Sequence, residues 1–439
     1  MAVKKNVAKT PKNVDTDQND DDSLLSLNDA LSIINQRIKS VKQIEICDIA
    51  NSLLRVSADN IFATRAIPPF DNSAVDGYIF DKQELNPHHP TELKIAGQIF
   101  PAQKKVPPLK RKRTLSITTG APLPKGDQCD PNIIVMEENC VVKNKTHILL
   151  NPSMSQNRNI RYRGEDIKAG RLIIKKGQHL SPFDLSLIAS QGLNAINVYQ
   201  KPSIRILCTG DEVIRSPLKA SEFQIYDTNF VTLKALFQGL NMDLVDGGII
   251  PDNRHKLQEA LEQSHEDLII INAGMSKGLH DYMGQILKQD SLWQNWRLKI
   301  KPGRPVGFGQ MHLNGKDRFI FGLPGNPAAA SVCFLILVIP ILQKLSGSSI
   351  KPPSSFPLKA MFSHQKKIGR QEFVRAKMIS NQTFFNISAP PFLVPAGPSG
   401  AGMLSSMANA DGLIVLDENS RGFKTGDDVY FIPFQSFFG

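Results

Sequence analysis

Apolar residues near the start of the chain recur at the spacing of an amphipathic helix. Two such stripes follow one another: first Leu24, Leu27, Leu31 and Ile34, then Ile46, Ile49 and Leu53. Intervals of three or four residues place side chains on one helix face. Similar spacing in SPFDLSLIASQGL, residues 181–193, predicts a helix packed beside the first ones. The pattern therefore predicts a helical domain built from two chain segments.

Between these segments the pattern becomes that of short strands. The runs LKIAGQIF, LSIT, NIIVM and HILL lie between residues 93 and 150. They are rich in β-prone residues and are separated by Pro, Gly, Asn and Lys. They predict a small β domain inserted into the helical one.

Strand and helix patterns alternate from residue 203 onward. Predicted strands SIRILC, MDLVDGG, DLIII and RFIFG are interleaved with predicted helices such as DTNFVTLKALFQG and RHKLQEALEQS. This order is typical of a parallel sheet covered by helices. The apolar run at 328–342 is too short to cross a bilayer comfortably, so it predicts a buried helix. Residues 350–439, with apolar patches between many Gly and Pro, predict a final β domain.

Composition narrows the class of protein. The 439 residues are 41% apolar, which is enough for roughly three domains with cores. The five cysteines are widely spaced and form no Cys-x-x-Cys pair, which argues against a disulfide framework or a zinc ribbon and favours a cytoplasmic protein. Residues 1–22 contain lysines but no apolar segment, so they predict a disordered tail rather than a secretory signal.

The net charge of +11 suits an anionic partner, whether nucleic acid, an acidic surface or a phosphorylated small molecule. The densest cluster, residues 104–113, holds six cations and no aromatic residue. Because no nucleic-acid motif accompanies this cluster, a solvated loop is the favoured interpretation. Charge alone does not choose among the partners.

Three predicted strands end in polar or glycine-rich loops: TGDE at 209–212, NAGMS at 272–276 and GLPGNP at 322–327. The ends of neighbouring parallel strands form one crevice, and helix N-termini there favour phosphate or other oxyanions. Asn326 and Pro327 are expected to begin such a helix. Each loop alone is more often structural, but three in one domain favour a ligand site.

Charged residues elsewhere fit the same kind of ligand. The loop PPFDNSAVDGY, residues 68–78, holds two carboxylates between prolines and a glycine, although ordinary turn formation explains it equally well. Arg297 and Lys301 lie at alternate positions before a Pro-Gly turn, and Arg161 lies close before a Gly-Glu-Asp sequence. Surface ion pairing is an open alternative for each cluster. A ligand with phosphates and a divalent cation needs both signs of charge.

Ten motifs run through the chain in order: PPFDNSAVDGY, TTGAPLP, NIRYRGEDI, CTGDE, QIYDTN, GLHDY, KPGRP, GLPGNPAAA, GRQEFVRA and LSSMANADG. In this order they resemble the molybdopterin molybdenumtransferase family, the MoeA proteins and the corresponding domain of gephyrin. The resemblance extends from about residue 24 to the C-terminus, and the tail lies outside it.

The resemblance implies an elongated α/β multidomain subunit. After a disordered tail (1–22), the implied domains are a discontinuous helical domain (23–75 and 151–200), an inserted β domain (76–150), a MogA-like α/β molybdopterin-binding domain (201–347) and a C-terminal β domain (348–439). It also implies a homodimer in which both subunits border the site.

The implied reaction inserts molybdate into adenylylated molybdopterin, releases AMP and requires Mg²⁺. The implied partners are small-molecule substrates, a second copy of the chain and an adenylyltransferase of the same pathway, with neither nucleic acid nor a membrane. The alternative is a non-catalytic molybdopterin-binding carrier or scaffold. It is favoured if Ala273 and Ala401, which stand where the family commonly has glycine and serine, weaken the chemistry.

Motif positions and the strand-end loops give the candidate site residues. The candidate catalytic residues are Asp76, Thr119, Asp166, Glu212, Asp252 and Asp281, of which the last three are also the candidate metal ligands. The candidate substrate-binding residues are Arg161, Gly274, Ser276, Arg297, Lys301, Arg304, Gly325, Asn326 and Arg375. We expect these acidic and basic side chains to meet in a single pocket.

Overall fold

The structure is a computed structural model that describes residues 24–40, 43–152, 158–273, 286, 293–380 and 390–438. They fall into two compact units: Gln43–Tyr199 forms one, and the N-terminal segment together with the chain from Gln200 onward forms the other. The predicted tail and the candidate site residues Gly274, Ser276 and Asp281 lie outside the described residues.

Most of the described helices begin at a side chain that accepts a backbone N–H, as Ser26, Ser181 and Asp227 do. The helices are α1 (Leu27–Arg37), α2 (Pro182–Ala189), α3 (Thr228–Gly239), α4 (Arg254–Glu262), α5 (Pro327–Leu345, with a π-helical turn) and α6 (Leu404–Ala408). Helix α5 starts with Pro327 at its first position, as predicted, although the Asn326 side chain makes no capping hydrogen bond.

The unit Gln43–Tyr199 is built mainly of strands. They are β1 (Ile44–Asp48), β2 (Ile61–Phe62), β3 (Asn72–Ser73), β4 (Gly77–Phe80), β5 (Thr91–Ile99), β6 (Leu109–Lys110), β7 (Arg113–Ile117), β8 (Gly126–Asp127), β9 (Ile133–Met136), β10 (Val141–Lys143), β11 (His147–Leu150), β12 (Ile160–Arg161), β13 (Leu172–Ile174) and β14 (Ala195–Tyr199). Six of them form a sheet in the order β10-β11-β5-β7-β4-β9. The four β-prone runs predicted from the sequence are strands of this sheet.

The predicted second helical stripe is wrong. Residues Ile44–Asp48 form strand β1, which pairs antiparallel with β14, and a short 3-10 turn follows at Ile49–Asn51. The Asp48 carboxylate accepts the Ala50 N–H at 2.8 Å and so begins this turn instead of a longer helix. Ile46 is 79% exposed, so its spacing from Ile49 marks no buried helix face.

Helix α1 packs elsewhere than predicted. Its buried Ala30 and Ile34 belong to the core of the other unit, where α1 contacts α5. Ile188 of α2 instead packs among strand residues such as Ile174 and Ile196. Periodicity identified both helices, but it carried no information about which core each one joins.

The second unit contains the alternating strands and helices predicted from residue 203. Its strands are β15 (Ile204–Thr209), β16 (Val213–Ile214), β17 (Ile225–Tyr226), β18 (Leu244–Ile250), β19 (Leu268–Ala273), β20 (Gln294–Arg297), β21 (Ile300–Lys301), β22 (Pro305–Leu313), β23 (Lys316–Pro324), β24 (Phe356–Ala360), β25 (His364–Gln365), β26 (Gln371–Ile379), β27 (Phe392–Pro395), β28 (Gly412–Leu416), β29 (Gly422–Phe423) and β30 (Asp428–Pro433). One sheet has the order β18-β15-β19-β23-β22-β20, with its first four strands parallel.

The large core lies on the face of this sheet that α1, α3 and α5 cover, and α4 covers a smaller core on the other face. By length and composition α5 is apolar enough to cross a membrane, but 89% of its 18-residue apolar stretch is buried inside the protein. The prediction of a buried core helix is confirmed. The last strands form a second sheet, β21-β26-β27-β24-β30-β28, which a further pairing of β26 with β28 closes on itself.

Candidate functional site

The parallel strands bring the predicted loops to one edge of the sheet. Thr209 at the end of β15 pairs with Ile250, and Asn272 in β19 lies opposite both Cys208 and Leu323. A pocket of about 440 Å³ opens at this edge, and we call it the strand-end pocket. Its lining includes Glu212, Asp227, Asn229, Asn272, Gly325 and Asn326. Three candidate site residues, Glu212, Gly325 and Asn326, therefore share one cavity.

Two buried asparagines hold the floor of the strand-end pocket. Asn229, from the first turn of α3, donates to Asn272 Oδ1 at 2.8 Å and to the Gly325 carbonyl at 2.6 Å. Asn272 in turn donates to the Pro324 carbonyl at 3.0 Å. These bonds fix the end of β19 against the GLPGNP loop, so the pocket is formed before a ligand arrives.

A hydroxyl beside this network has no partner among the described residues. The Thr209 side chain lines the strand-end pocket, and its Oγ1 is buried without a hydrogen bond. A buried polar group without a partner is costly, and a ligand that bonds it removes that cost. Thr209 is thus a contact that the sequence reasoning did not single out within TGDE.

Asp227 is held in the pocket by an arginine that sequence reasoning missed. Arg215 Nε donates to Asp227 at 3.0 Å, and its NH1 donates to Asp246 at 2.6 Å. The guanidinium also lies over the Phe230 ring, 3.9 Å from its centre. Burial opposes the charge, but the hydrogen bonds to both carboxylates raise the pKa of Arg215. No local motif signals this set, because its members come from separate elements.

Acidic groups gather at the ends of β15 and β18. The Asp252 N–H donates to Asp211 at 3.1 Å. Burial, followed by the negative charges of Asp211 and Glu212, raises the pKa of Asp252. Crowded carboxylates of this kind are the oxygen donors that Mg²⁺ prefers. Within the described ranges no three potential ligands surround one point, and Asp281, the third candidate, lies outside them.

The candidate cations Lys301 and Arg375 line a different pocket, about 310 Å³ in volume, which we call the cationic pocket. Ser399 and Ala401 also line it. Arg375 is 9% exposed, and its guanidinium donates to the Gly400 carbonyl at 3.0 Å. Burial lowers the pKa of Arg375, an effect that the charge of Glu372 opposes. A buried guanidinium bonded to a carbonyl suits an oxyanion.

The cationic pocket is also lined by a carboxylate, Glu372, that the sequence reasoning did not select. Glu372 Oε1 accepts from Lys301 Nζ at 2.8 Å and contacts His364 Nε2 at 3.2 Å. The Glu372 side chain is only 8% exposed, and that of Lys301 is 58% exposed. His364 stands eight positions before Glu372, and no local pattern pairs these two residues.

The N-terminus of α5 connects the two pockets. Asn326 and Pro327 line the strand-end pocket, and the Ala328 N–H donates to the Ala401 carbonyl at 3.0 Å. Ala401 lines the cationic pocket. The structure therefore corrects the expectation of a single pocket, because the candidates divide between two pockets next to the N-terminus of α5. Lys301 lies in the second pocket because its strand, β21, pairs with β26 of the closed sheet.

Arg297 and Arg304 line neither pocket. Arg297 lies at the end of β20 with its side chain exposed, and Arg304 accepts the Leu298 N–H through its carbonyl. The alternation around them holds, since Leu298 and Ile300 are buried while Lys301 is exposed. The alternate spacing predicted the outward direction of Arg297 and Lys301 correctly, and a ligand shared by these cations stays a prediction.

In the unit Gln43–Tyr199 the remaining candidates form one loop cluster. Asp76 accepts the Thr119 N–H at 2.6 Å and its hydroxyl at 2.7 Å, and these two bonds lower the pKa of Asp76. Arg161 pairs with Asn72 between β12 and β3. The Asp166 N–H donates to the Ile67 carbonyl. The three motifs at 68–78, 118–124 and 159–167 thus meet in space.

Family models match most of the chain. The MoeA N-terminal region (domain I and II) matches residues 25–192, the probable molybdopterin binding domain matches residues 205–344, and the MoeA C-terminal region (domain IV) matches residues 357–434.

Individual relatives agree with these models. The chain is 31% identical over 423 residues to a molybdopterin molybdenumtransferase of Haemophilus influenzae, covering 95% of this chain and all of the relative. It is 27% identical over 414 residues to one of Staphylococcus epidermidis, covering 92% of this chain and 94% of the relative. The fold matches the crystal structure of the molybdopterin biosynthesis protein MoeA from Pyrococcus horikoshii with a TM-score of 0.76 at 23% identity, over 94% of this chain and all of that one. The chain belongs to the MoeA family of molybdopterin molybdenumtransferases.

Proposed function

We propose that this enzyme of molybdenum cofactor biosynthesis inserts molybdate into adenylylated molybdopterin and releases AMP. The observation that carries the proposal is the N-terminus of α5 between two pockets. One pocket offers buried amides and carboxylates, and the other offers Lys301 and Arg375. A transfer of an oxyanion to a second ligand needs two such sites side by side.

The strand-end pocket is the proposed site of the molybdopterin. Its volume of about 440 Å³ is within the range of small-molecule sites. The Asn229 and Asn272 amides fix its shape, and the Thr209 hydroxyl, which has no partner among the described residues, offers the ligand a hydrogen bond. The molybdopterin therefore binds in a preformed site.

The cationic pocket is the proposed site of molybdate. Lys301 and Arg375 supply two positive charges, and the desolvation of Arg375 strengthens its attraction for a dianion. Fixed cations of this kind orient the oxyanion towards the neighbouring ligand.

Glu212 and Asp252, together with Asp281, would hold Mg²⁺. The raised pKa of Asp252 supports this, because a divalent cation relieves repulsion among the carboxylates. When bound, the ion would neutralise the charge of the pyrophosphate group. Asp76, Thr119, Arg161 and Asp166 are proposed to complete the site in a homodimer. An adenylyltransferase of the pathway would supply the substrate in the cytoplasm.

A carrier or scaffold that binds molybdopterin without turnover is the second candidate. It is favoured by Ala401, which gives the cationic pocket a methyl where the family commonly has a hydroxyl. Ser399 lines the same pocket and offers a hydroxyl of its own.

Incubation with adenylylated molybdopterin, molybdate and Mg²⁺ separates the two candidates. We expect AMP release that depends on molybdate, and loss of that release in Asp281→Ala. Tight binding of the pterin without AMP release would support the carrier. Near-normal turnover in Asp281→Ala would contradict the role given to that residue.

A further inference from the structure

We propose that His364 is a positioning residue that acts through Glu372 on Lys301. This inference rests on the proposed molybdate site and adds a residue to it. Its basis is that two side chains, Lys301 and His364, converge on the same oxygen of Glu372 at 2.8 and 3.2 Å.

The carboxylate of Glu372 needs such a second partner. It is 8% exposed and borders a pocket proposed to hold a dianion, so its own negative charge opposes ligand binding unless it is balanced. Without a second partner for Glu372, Lys301 would have to neutralise this carboxylate and bind the anion at the same time. A donated N–H from His364 stabilises the carboxylate and leaves more of the Lys301 charge for the pocket.

His364 is itself held in place. Its side chain is 17% exposed, and its ring stacks on Phe423, with ring centres 5.9 Å apart. Strand β25, which begins at His364, pairs antiparallel with β29, which ends at Phe423. Nε2 therefore points at Glu372 from a fixed ring. Lys301, with a long and 58% exposed side chain, depends on that carboxylate for its position.

Titration of molybdate alone into the full-length protein, followed by calorimetry, tests this arrangement. We expect His364→Leu to weaken molybdate binding roughly tenfold, the size expected for losing a hydrogen bond to a charged group. His364→Gln, whose amide nitrogen lies near the position of Nε2, should restore most of the affinity. In a Lys301→Met background, His364→Leu should cause a smaller further loss than it causes in the wild type, because much of its effect passes through Lys301.

His312 provides the matched control. It contacts Asp317 at 2.9 Å in the same type of pair, but both side chains are more than 60% exposed and neither lines the cationic pocket. His312→Leu should leave molybdate binding unchanged.

The outcomes separate the inference from the function it rests on. If Lys301→Met and Arg375→Met both leave molybdate binding unchanged, the proposed molybdate site is wrong. If those two variants lose affinity while His364→Leu binds as well as the wild type, only the role of His364 is overturned. An additive loss in the double variant would also overturn it, because the histidine would then act independently of Lys301.

Discussion

A buried guanidinium with a carbonyl acceptor is the clearest functional signal at the scale of single residues. Arg375 is 9% exposed, and burial lowers its pKa. Charges are rarely buried without a compensating partner. The oxyanion proposed for the cationic pocket would be that partner.

We predict that Arg375→Met raises the KM for molybdate by about 10- to 100-fold, because a hydrogen bond to a charged group is lost. The thermal midpoint should stay the same or rise, since methionine removes a desolvated charge. Steady-state AMP release measures the first effect and calorimetry the second. Arg421→Met, at an exposed arginine that lines neither pocket, is the control and should change neither value.

A second prediction concerns stability and pH. The pKa of Asp252 is raised in the folded protein, so ionising this group costs stability. That cost is absent below pH of about 3.8, the unfolded value, and develops as pH rises through the higher folded value. Asp252→Asn should therefore raise the thermal midpoint at pH 7 and lose this advantage towards pH 4. Because the group is largely solvated, the gain should be below about 1 kcal/mol.

The stabilisation of the protein by Mg²⁺ tests whether Asp252 is a metal ligand. The ion should stabilise the wild type and have less effect on Asp252→Asn. Asp243→Asn, at a carboxylate that is 95% exposed, is the control and should respond to Mg²⁺ like the wild type. Equal stabilisation of wild type and Asp252→Asn would show that this carboxylate does not hold the metal.

Sequence patterns pointed to site residues that lie within motifs. They missed residues whose partners are distant in sequence and meet only in the folded chain. Glu212, Gly325 and Asn326 share a pocket as expected, because they follow neighbouring strands. His364 and Arg215 were missed, because their partners come from separate elements and no spacing rule links them. Their roles depend on tertiary contacts alone.

Among the elements, α5 does most to shape the site. Its first residues line the strand-end pocket and bond Ala401 of the cationic pocket, and the rest of the helix is buried against the sheet. Cys333, near the end of its first α-helical segment, contacts the carbonyl of Gly303 in the Pro-Gly turn that follows Lys301. The helix thereby supports the position of the turn that carries this lysine.

We predict that Gly303→Ala destabilises the protein by about 2 to 4 kcal/mol. Gly303 has a φ of +97°, and an added Cβ would collide with the Cys333 sulfur, so backbone strain and overpacking combine. Gly315→Ala is the matched control, because its φ is +76° and nothing lies within 4 Å of an added Cβ. It should cost only the strain, about 1 kcal/mol. Urea unfolding measures both.

A double variant isolates the collision from the strain. Gly303→Ala with Cys333→Ala should recover part of the loss seen in Gly303→Ala, because the sulfur is removed. If Gly303→Ala unfolds at the same urea concentration as Gly315→Ala, the packing of α5 against the turn contributes little to stability.

At the scale of elements, the sequence patterns were reliable where the regularly spaced apolar residues form a buried face. The predicted strands and helices from residue 203 onward are present, because their apolar faces cover one sheet. The stripe Ile46, Ile49 and Leu53 failed because Ile46 is exposed in strand β1, so its apolar spacing has no buried face. A stripe of three apolar residues is too short to distinguish a helix from a strand that leads into a turn.

For the molecule as a whole, the resemblance gave the family and the fold class, which the comparisons confirm. The division into four domains and the homodimer stay predictions. Contacts divide the chain into two units, and α1 joins the unit that contains the α/β sheet. This assignment could not be predicted from the apolar stripe of α1, because the same stripe fits either core.

The proposed homodimer predicts complementation between inactive variants. Asp76→Asn and Lys301→Met change residues in different units. If each site takes one unit from each subunit, a mixed dimer retains one intact site, and random mixing should restore about a quarter of wild-type AMP release. Mixing Asp76→Asn with Thr119→Val, which lie in the same loop cluster, should restore none. Recovery in neither mixture would argue that each subunit builds its site alone.

The most direct test of the central claim is to locate molybdate in crystals of the full chain by the anomalous X-ray signal of molybdenum. We predict a peak in the cationic pocket, within hydrogen-bond distance of Lys301 and Arg375 and next to the N-terminus of α5. A peak elsewhere, with the cationic pocket empty under conditions that support AMP release, would contradict the two-pocket account.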